Sequence, residues 1–273
     1  MFEENILNEI LAAAPAFFLI AARAFAMIQT APLLNSDSIP QVAKLSLAGF
    51  VAYTSFNSAL ISSWVIAPFD ISFIFLVIGE ALIGIIIGFF LALIFAAFVT
   101  AGQFFSLQMG FGASETFDPL SQIENPLLGQ YLNLVAMLVF VTIDGFRELF
   151  LGGFHRSLQS INVMSIINGR ENIVTLVLAG LSRLFMDAMV IALPILGTLF
   201  LISLSTGLIS KAAPQINILS EGFPISIMVA WILILSALPF MTEIFGHVIG
   251  SSFEMLRTLY IQIGEPILSG GGI

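Results

Sequence analysis

The sequence predicts an all-α, polytopic membrane protein of about six long, partly kinked apolar helices. Three observations carry this. Hydrophobic residues make up 59% of the 273 positions and charged residues only 9%, whereas soluble domains hold about 45–50% and about 25%. The apolar residues fall in long blocks, several of at least ~18 residues, as transmembrane helices require. Between the blocks lie short polar breaks rich in Pro, Gly, Ser and Asp, the signals that end and restart helices.

Six apolar segments are read: about 10–34, 42–67, 71–101, 127–143, 173–209 and 223–249. The break "NSDSIPQ" at 35–41 is a turn leading into the second. Residues 144–172 are the only long stretch of mixed polarity and read as a short amphipathic helix followed by a loop. "KAAPQINILSEGFP" at 211–224 reads as another broken loop. Several runs exceed a simple span. Residues 71–101 would extend roughly 46 Å against a hydrocarbon core of roughly 30 Å. The run 173–209 is longer, with Pro194 and Gly197 near its middle, where a kink or hairpin is expected. Strong tilt is one reading; extension beyond the bilayer against other protein is the other. One domain is expected over 1–265, with a flexible Gly-rich tail at 266–273.

Composition also excludes function classes. Cysteine is absent, which removes disulfides, thiol catalysis and thiolate metal sites. The net charge of −9 comes from scattered loop and terminal acids, and no basic cluster marks nucleic-acid or anionic-lipid binding. The acidic start "MFEENILNEI" lacks the positive charge of a cleaved signal peptide. No metalloprotease, nucleophile-elbow or phosphate-loop motif is present. Two histidines, His155 and His247, do not make a metal site with the carboxylates at hand, and Glu243 four residues before His247 is a low-specificity match. No enzyme, metal or cofactor is expected. The eight lysines and arginines are too dispersed to orient the loops by the positive-inside rule.

The third segment carries a stripe at i+4 spacing: Glu80, Gly84, Gly88, Ala92, Ala96 and Thr100. Gly84 and Gly88 form a small-xxx-small pair that lets backbones approach closely, so helix packing is assigned to Gly84, Gly88 and Ala92. Glu80 is expensive in lipid and is expected against protein or water. Arg23 lies inside the first run. Arg183 and Asp187 lie four apart in the fifth, placed to pair with each other. Intramembrane charges either pair to specify helix assembly or line a proton or solute path; the pairing reading is favoured, because Asp187 has a partner at hand.

One polar stretch is out of keeping with its surroundings. "LQMGFGASETFDPLSQIENPLL" at 107–128 places glycines, acids and aromatic residues between two apolar runs. With the preceding "AGQFFS" it resembles the central signature of the FliR/SctT family of type III secretion export-gate subunits. Other motifs follow in the same order: "TAPLLNSDSIPQVAKLSLA" at 30–48, "LVFVTIDGFRELF" at 138–150, and "ALPILGTLFLISLSTGLISKAAPQINILSEGFPISI" at 192–227. The resemblance covers nearly the whole chain, and its motifs look more like the flagellar branch than the virulence branch.

The resemblance implies a subunit of a protein export gate in the bacterial inner (cytoplasmic) membrane at the flagellar basal body. Its partners would be FliP-like and FliQ-like subunits in a helical hetero-oligomer, with FlhB and FlhA of the export apparatus, membrane lipid around it and unfolded export substrates in transit. It further implies that the loop at 107–126 plugs the lumen, through Gly110, Phe111, Gly112, Glu115, Phe117, Asp118 and Pro119. The chain departs from the family at Ala113 and Thr116, where plug phenylalanines would stand; Phe111 and Phe117 take their place in this reading. Two other classes compete: a secondary transporter using Arg23, Glu80 and Asp187 as a polar path, and a purely structural membrane scaffold.

Overall fold

The computed structural model describes residues 2–56, 71–110, 127–161, 163, 170–212 and 218–269, and among them there is no strand. Helix α1 (Phe2–Thr30) runs through Pro15. A turn follows, in which the Ser38 N–H donates to Ser36 Oγ at 3.2 Å and Gln29 meets Gln41 side chain to side chain at 2.9 Å. Pro40, with φ −58°, then opens α2 (Gln41–Ser55), its missing N–H costing nothing at a helix start.

Helix α3 (Ile71–Met109) has 39 residues. It ends at Gly110, whose φ of 87° is the left-handed conformation that closes helices and favours glycine. Helix α4 (Leu127–Thr142) is shorter, at 16 residues. Asp144 then takes φ 57°, the left-handed region that Asp tolerates better than most residues. From it start one short turn, α5 (Gly145–Arg147), an eight-residue π-helix (Glu148–His155) and α6 (Arg156–Ser160). The amphipathic helix expected here therefore exists, but its centre is π-helical. Last come α7 (Arg170–Ala212) and α8 (Ile218–Ser269), of 43 and 52 residues.

The all-α membrane class stands, and each of the six apolar segments carries a helix among the described residues. Among the described residues four helices are long and apolar enough to cross a bilayer, namely Ala13–Thr30, Ile71–Met109, Val177–Ala212 and Pro224–Thr258, beside the shorter Leu127–Thr142. The expected second span is helical only over Gln41–Ser55; residues 57–70 lie outside the description. No hairpin forms at Pro194, which sits inside α7. Its own carbonyl accepts the Thr198 hydroxyl at 2.9 Å. Helix α8 continues to Ser269, into the stretch assigned from sequence to a tail.

Contacts divide the chain into two compact units. The first holds residues 1–92, 144–179 and 252–273; the second holds 93–143 and 180–251. The core of the first includes Leu19, Met27 and Ile28 of α1, Ile87 and Leu91 of α3, Phe154 of the π-helix and Leu256 of α8. In the second, Phe95 meets Phe140 with ring centroids 5.6 Å apart and Phe98 meets Phe245 at 4.5 Å. There Gly102 and Gly129 pack backbone to backbone, leaving no room for a Cβ at position 102. These cores are Phe- and Ile-rich because bulky side chains fill the space between helices where glycines do not close it.

Candidate functional site

The small-residue stripe of α3 decides where the charges meet. A Cβ on Gly84 would collide with the Arg23 carbonyl, and one on Gly88 with Thr30 Oγ1 and the Met27 carbonyl. Helices α1 and α3 therefore run side by side in the same direction here, at a distance only glycine allows. The packing stripe thus serves contact within the chain, against its own first helix. Ala92, one turn beyond Gly88, is half-buried.

This approach delivers Arg23 to Glu80, one turn before Gly84. Arg23 Nε donates to Glu80 Oε2 at 2.6 Å, Nη1 to Ser157 Oγ at 3.0 Å and Nη2 to the Ile161 carbonyl at 3.0 Å. Arg23 is 0% exposed and Glu80 2%. Ser157 uses both capacities of its hydroxyl, accepting from Arg23 and donating to the Phe154 carbonyl at 2.6 Å. All three nitrogens of the guanidinium are engaged, which is the condition under which a buried charge is tolerated. A carboxylate held this way anchors α3 to α1.

The same segment is gripped from α8. Arg257 Nη2 donates to Glu148 Oε2 at 2.7 Å, and the Tyr260 hydroxyl to the Gly153 carbonyl at 3.0 Å. A Cβ on Gly152 would lie 2.9 Å from Glu148 Oε2, so glycine there leaves room for that carboxylate. Burial holds the Tyr260 phenol above its ordinary range, so it remains a donor. Ser157, Ile161, Glu148, Arg257 and Tyr260 were not identified from sequence as members of this network. The only local cue was the Gly152–Gly153 pair, a common site of helix irregularity.

In the second unit Arg183 and Asp187 do pair, as their spacing predicts, with Nε 3.5 Å from Oδ2. Arg183 Nη2 also donates to Ser251 Oγ at 2.6 Å, while its Nε is buried without a hydrogen-bond partner among the described residues. Glu243 and His247 are both exposed on α8. Among the described residues no group of three His, Asp or Glu side chains is placed to hold a metal. Of the loop assigned to the lumen, residues 107–109 are instead the end of α3, which Gly110 closes; Phe111, Gly112, Glu115, Phe117, Asp118 and Pro119 lie outside the described residues.

Long apolar helices, with a buried ion pair tying α1 to α3, define a polytopic all-α membrane protein. The chain matches the family described as "Bacterial export proteins, family 1" over residues 14–252 and belongs to it. It is similar to the flagellar biosynthetic protein FliR of Bacillus subtilis, 28% identical over 94% of this chain and 99% of that protein. Similarity to the FliR of Escherichia coli is 28% over 90% of this chain and 93% of that protein. To the FliR of Buchnera aphidicola subsp. Baizongia pistaciae it is 33% over 88% and 91%.

Proposed function

We propose that this chain is a core subunit of the flagellar type III protein export gate in the bacterial inner membrane. It assembles with FliP-like and FliQ-like subunits around a channel for unfolded export substrates, beside FlhB and FlhA of the same apparatus. Family membership over residues 14–252 supports this reading. So does the length of α3, α7 and α8. At ~1.5 Å per residue they run roughly 58, 64 and 78 Å, two or more times a hydrocarbon core of roughly 30 Å. Their ends need cover other than lipid tails, which neighbouring subunits supply. The chain works by binding and sealing, with no catalytic step of its own.

Within this reading, residues 107–126 are the removable seal. A passage wide enough for an unfolded chain leaks ions at rest unless something fills it. The left-handed Gly110 stops α3 at Met109, and the sequence continues as "FGASETFDPL", which offers two phenylalanines for bulk and two acids that require water or protein around them. The test is ion conductance of assembled gates carrying a deletion of 111–117, or Phe111→Ala with Phe117→Ala, at complex yield equal to the parent. Raised conductance is expected, with the chain's own fold intact because the α1–α3 contact at Gly84 and Gly88 is untouched. Normal assembly with no added leak would reduce the loop to a connection.

A further inference from the structure

The π-helix has a consequence for the outer face of its own segment. Positions 147 and 156 are nine residues apart, about two and a half turns of an α-helix, which would set them on opposite sides. The i→i+5 bonding of a π-helix fits more residues into each turn. Arg147, Leu151 and Arg156 are accordingly all exposed, while Leu149, Gly152, Gly153, Phe154, Ser157 and Leu158 are all buried. Leu151 is 56% exposed. One face thus carries two arginines flanking a leucine, with half-exposed His155 beside them. Among the described residues neither arginine side chain has a hydrogen-bond or ion-pair partner.

This face stands out in a chain of net charge −9. Its acids do not cancel it. Glu148 is bound to Arg257, which leaves exposed Asp144 at the segment's start. In chain order the segment follows directly on the apolar helix Leu127–Thr142 and precedes the span that begins at Val177, the place of an interfacial segment. Arginines with an exposed leucine between them match the boundary between phosphate headgroups and acyl chains.

We infer that the face formed by Arg147, Leu151 and Arg156 binds anionic phospholipid headgroups at the membrane surface, and that the π-helix serves to bring the two arginines to one side. The inference is independent of the gate reading, because it does not involve residues 107–126. The absence of cysteine makes it directly testable. A Gln159→Cys protein, labelled with a fluorophore at this exposed neighbour of the face, is placed in nanodiscs of phosphatidylcholine with or without phosphatidylglycerol, carrying a headgroup-linked quencher.

Quenching is expected to be stronger with phosphatidylglycerol and to fall at high salt. Replacing both arginines with Gln should abolish the preference, about five-fold in apparent lipid affinity per arginine. Arg147→Lys with Arg156→Lys should keep it. A second, label-free measurement covers the case in which a labelled variant does not fold. Phospholipid retained by the purified parent should be enriched in anionic species over the membrane extract, and less so with both arginines changed to Gln. Equal quenching in the two lipids, or an anionic preference that survives the Gln changes, would overturn the inference and leave an acidic protein surface as the occupant.

Discussion

Two Arg–carboxylate pairs in this protein use the same groups and do different work. Arg23 and Glu80 are 57 positions apart, and their ion pair is shut off from solvent with every guanidinium nitrogen bonded. Arg183 and Asp187 sit four apart on one helix, with Arg183 Nε at 3.5 Å from the carboxylate but making no hydrogen bond, and side chains 35% and 17% exposed. The first pair ties three separate stretches of chain together, so its loss undoes tertiary structure. The second lies along one helix, part-exposed, with a single hydrogen bond from Arg183 to Ser251 of α8 as its tie elsewhere. Proximity in sequence makes a pair easy to find and cheap to lose. A distant pair that closes a network is hard to find and costly to break.

The sharpest way to break this contrast is to truncate the buried pair. Arg23→Ala leaves Glu80 desolvated without its cation, a loss of about 3–5 kcal/mol, and Glu80→Ala does the same to Arg23. Both should depress the folded fraction in a denaturant titration of the detergent-solubilised chain. Replacing both with Leu should be milder than either truncation. Equal damage from the double change would mean that the network matters through Ser157 and Ile161 alone.

A somewhat smaller effect is expected at the close approach that delivers the pair. Gly88→Leu must force apart the α1 and α3 backbones, an overpacking cost of roughly 1–3 kcal/mol or more. Because the contact lies within the chain, the variant should accumulate poorly when expressed alone, before any partner is added. Normal yield and melting of the isolated chain, with loss only of assembled complex, would show that Gly88 serves contact between subunits instead.

The smallest effect belongs to the second pair. Arg183→Ala and Asp187→Ala should each cost about 1 kcal/mol or less, as measured for part-exposed pairs, and the double variant should be no worse than the poorer single one. Secretion or motility assays of the three variants measure this. Strictly additive defects would assign the two residues separate roles.

Much of this was legible in sequence, for physical reasons that stop at identifiable points. Helix class follows from apolar length alone, because lipid leaves backbone groups no partners but each other. The Arg183–Asp187 pair follows from helical spacing, and the small-residue stripe from its i+4 period. Pro194 admits a kink or a hairpin from sequence, and the helix that continues through it excludes the hairpin. Gly152–Gly153 offered an irregularity without saying which. The π register became definite only with Tyr260, 107 positions away, on the Gly153 carbonyl.

By itself, then, the sequence determined that the chain is a bundle of long apolar helices, that Arg23 and Glu80 need partners, and that position 110 can turn left-handed. Each of these is a property of a residue and its near neighbours. Only tertiary structure decided that Arg23 answers Glu80, that Gly84 and Gly88 receive the chain's own first helix, and that Arg147 and Arg156 share a face. Those outcomes depend on which distant backbones approach within contact distance, and no local spacing encodes that choice.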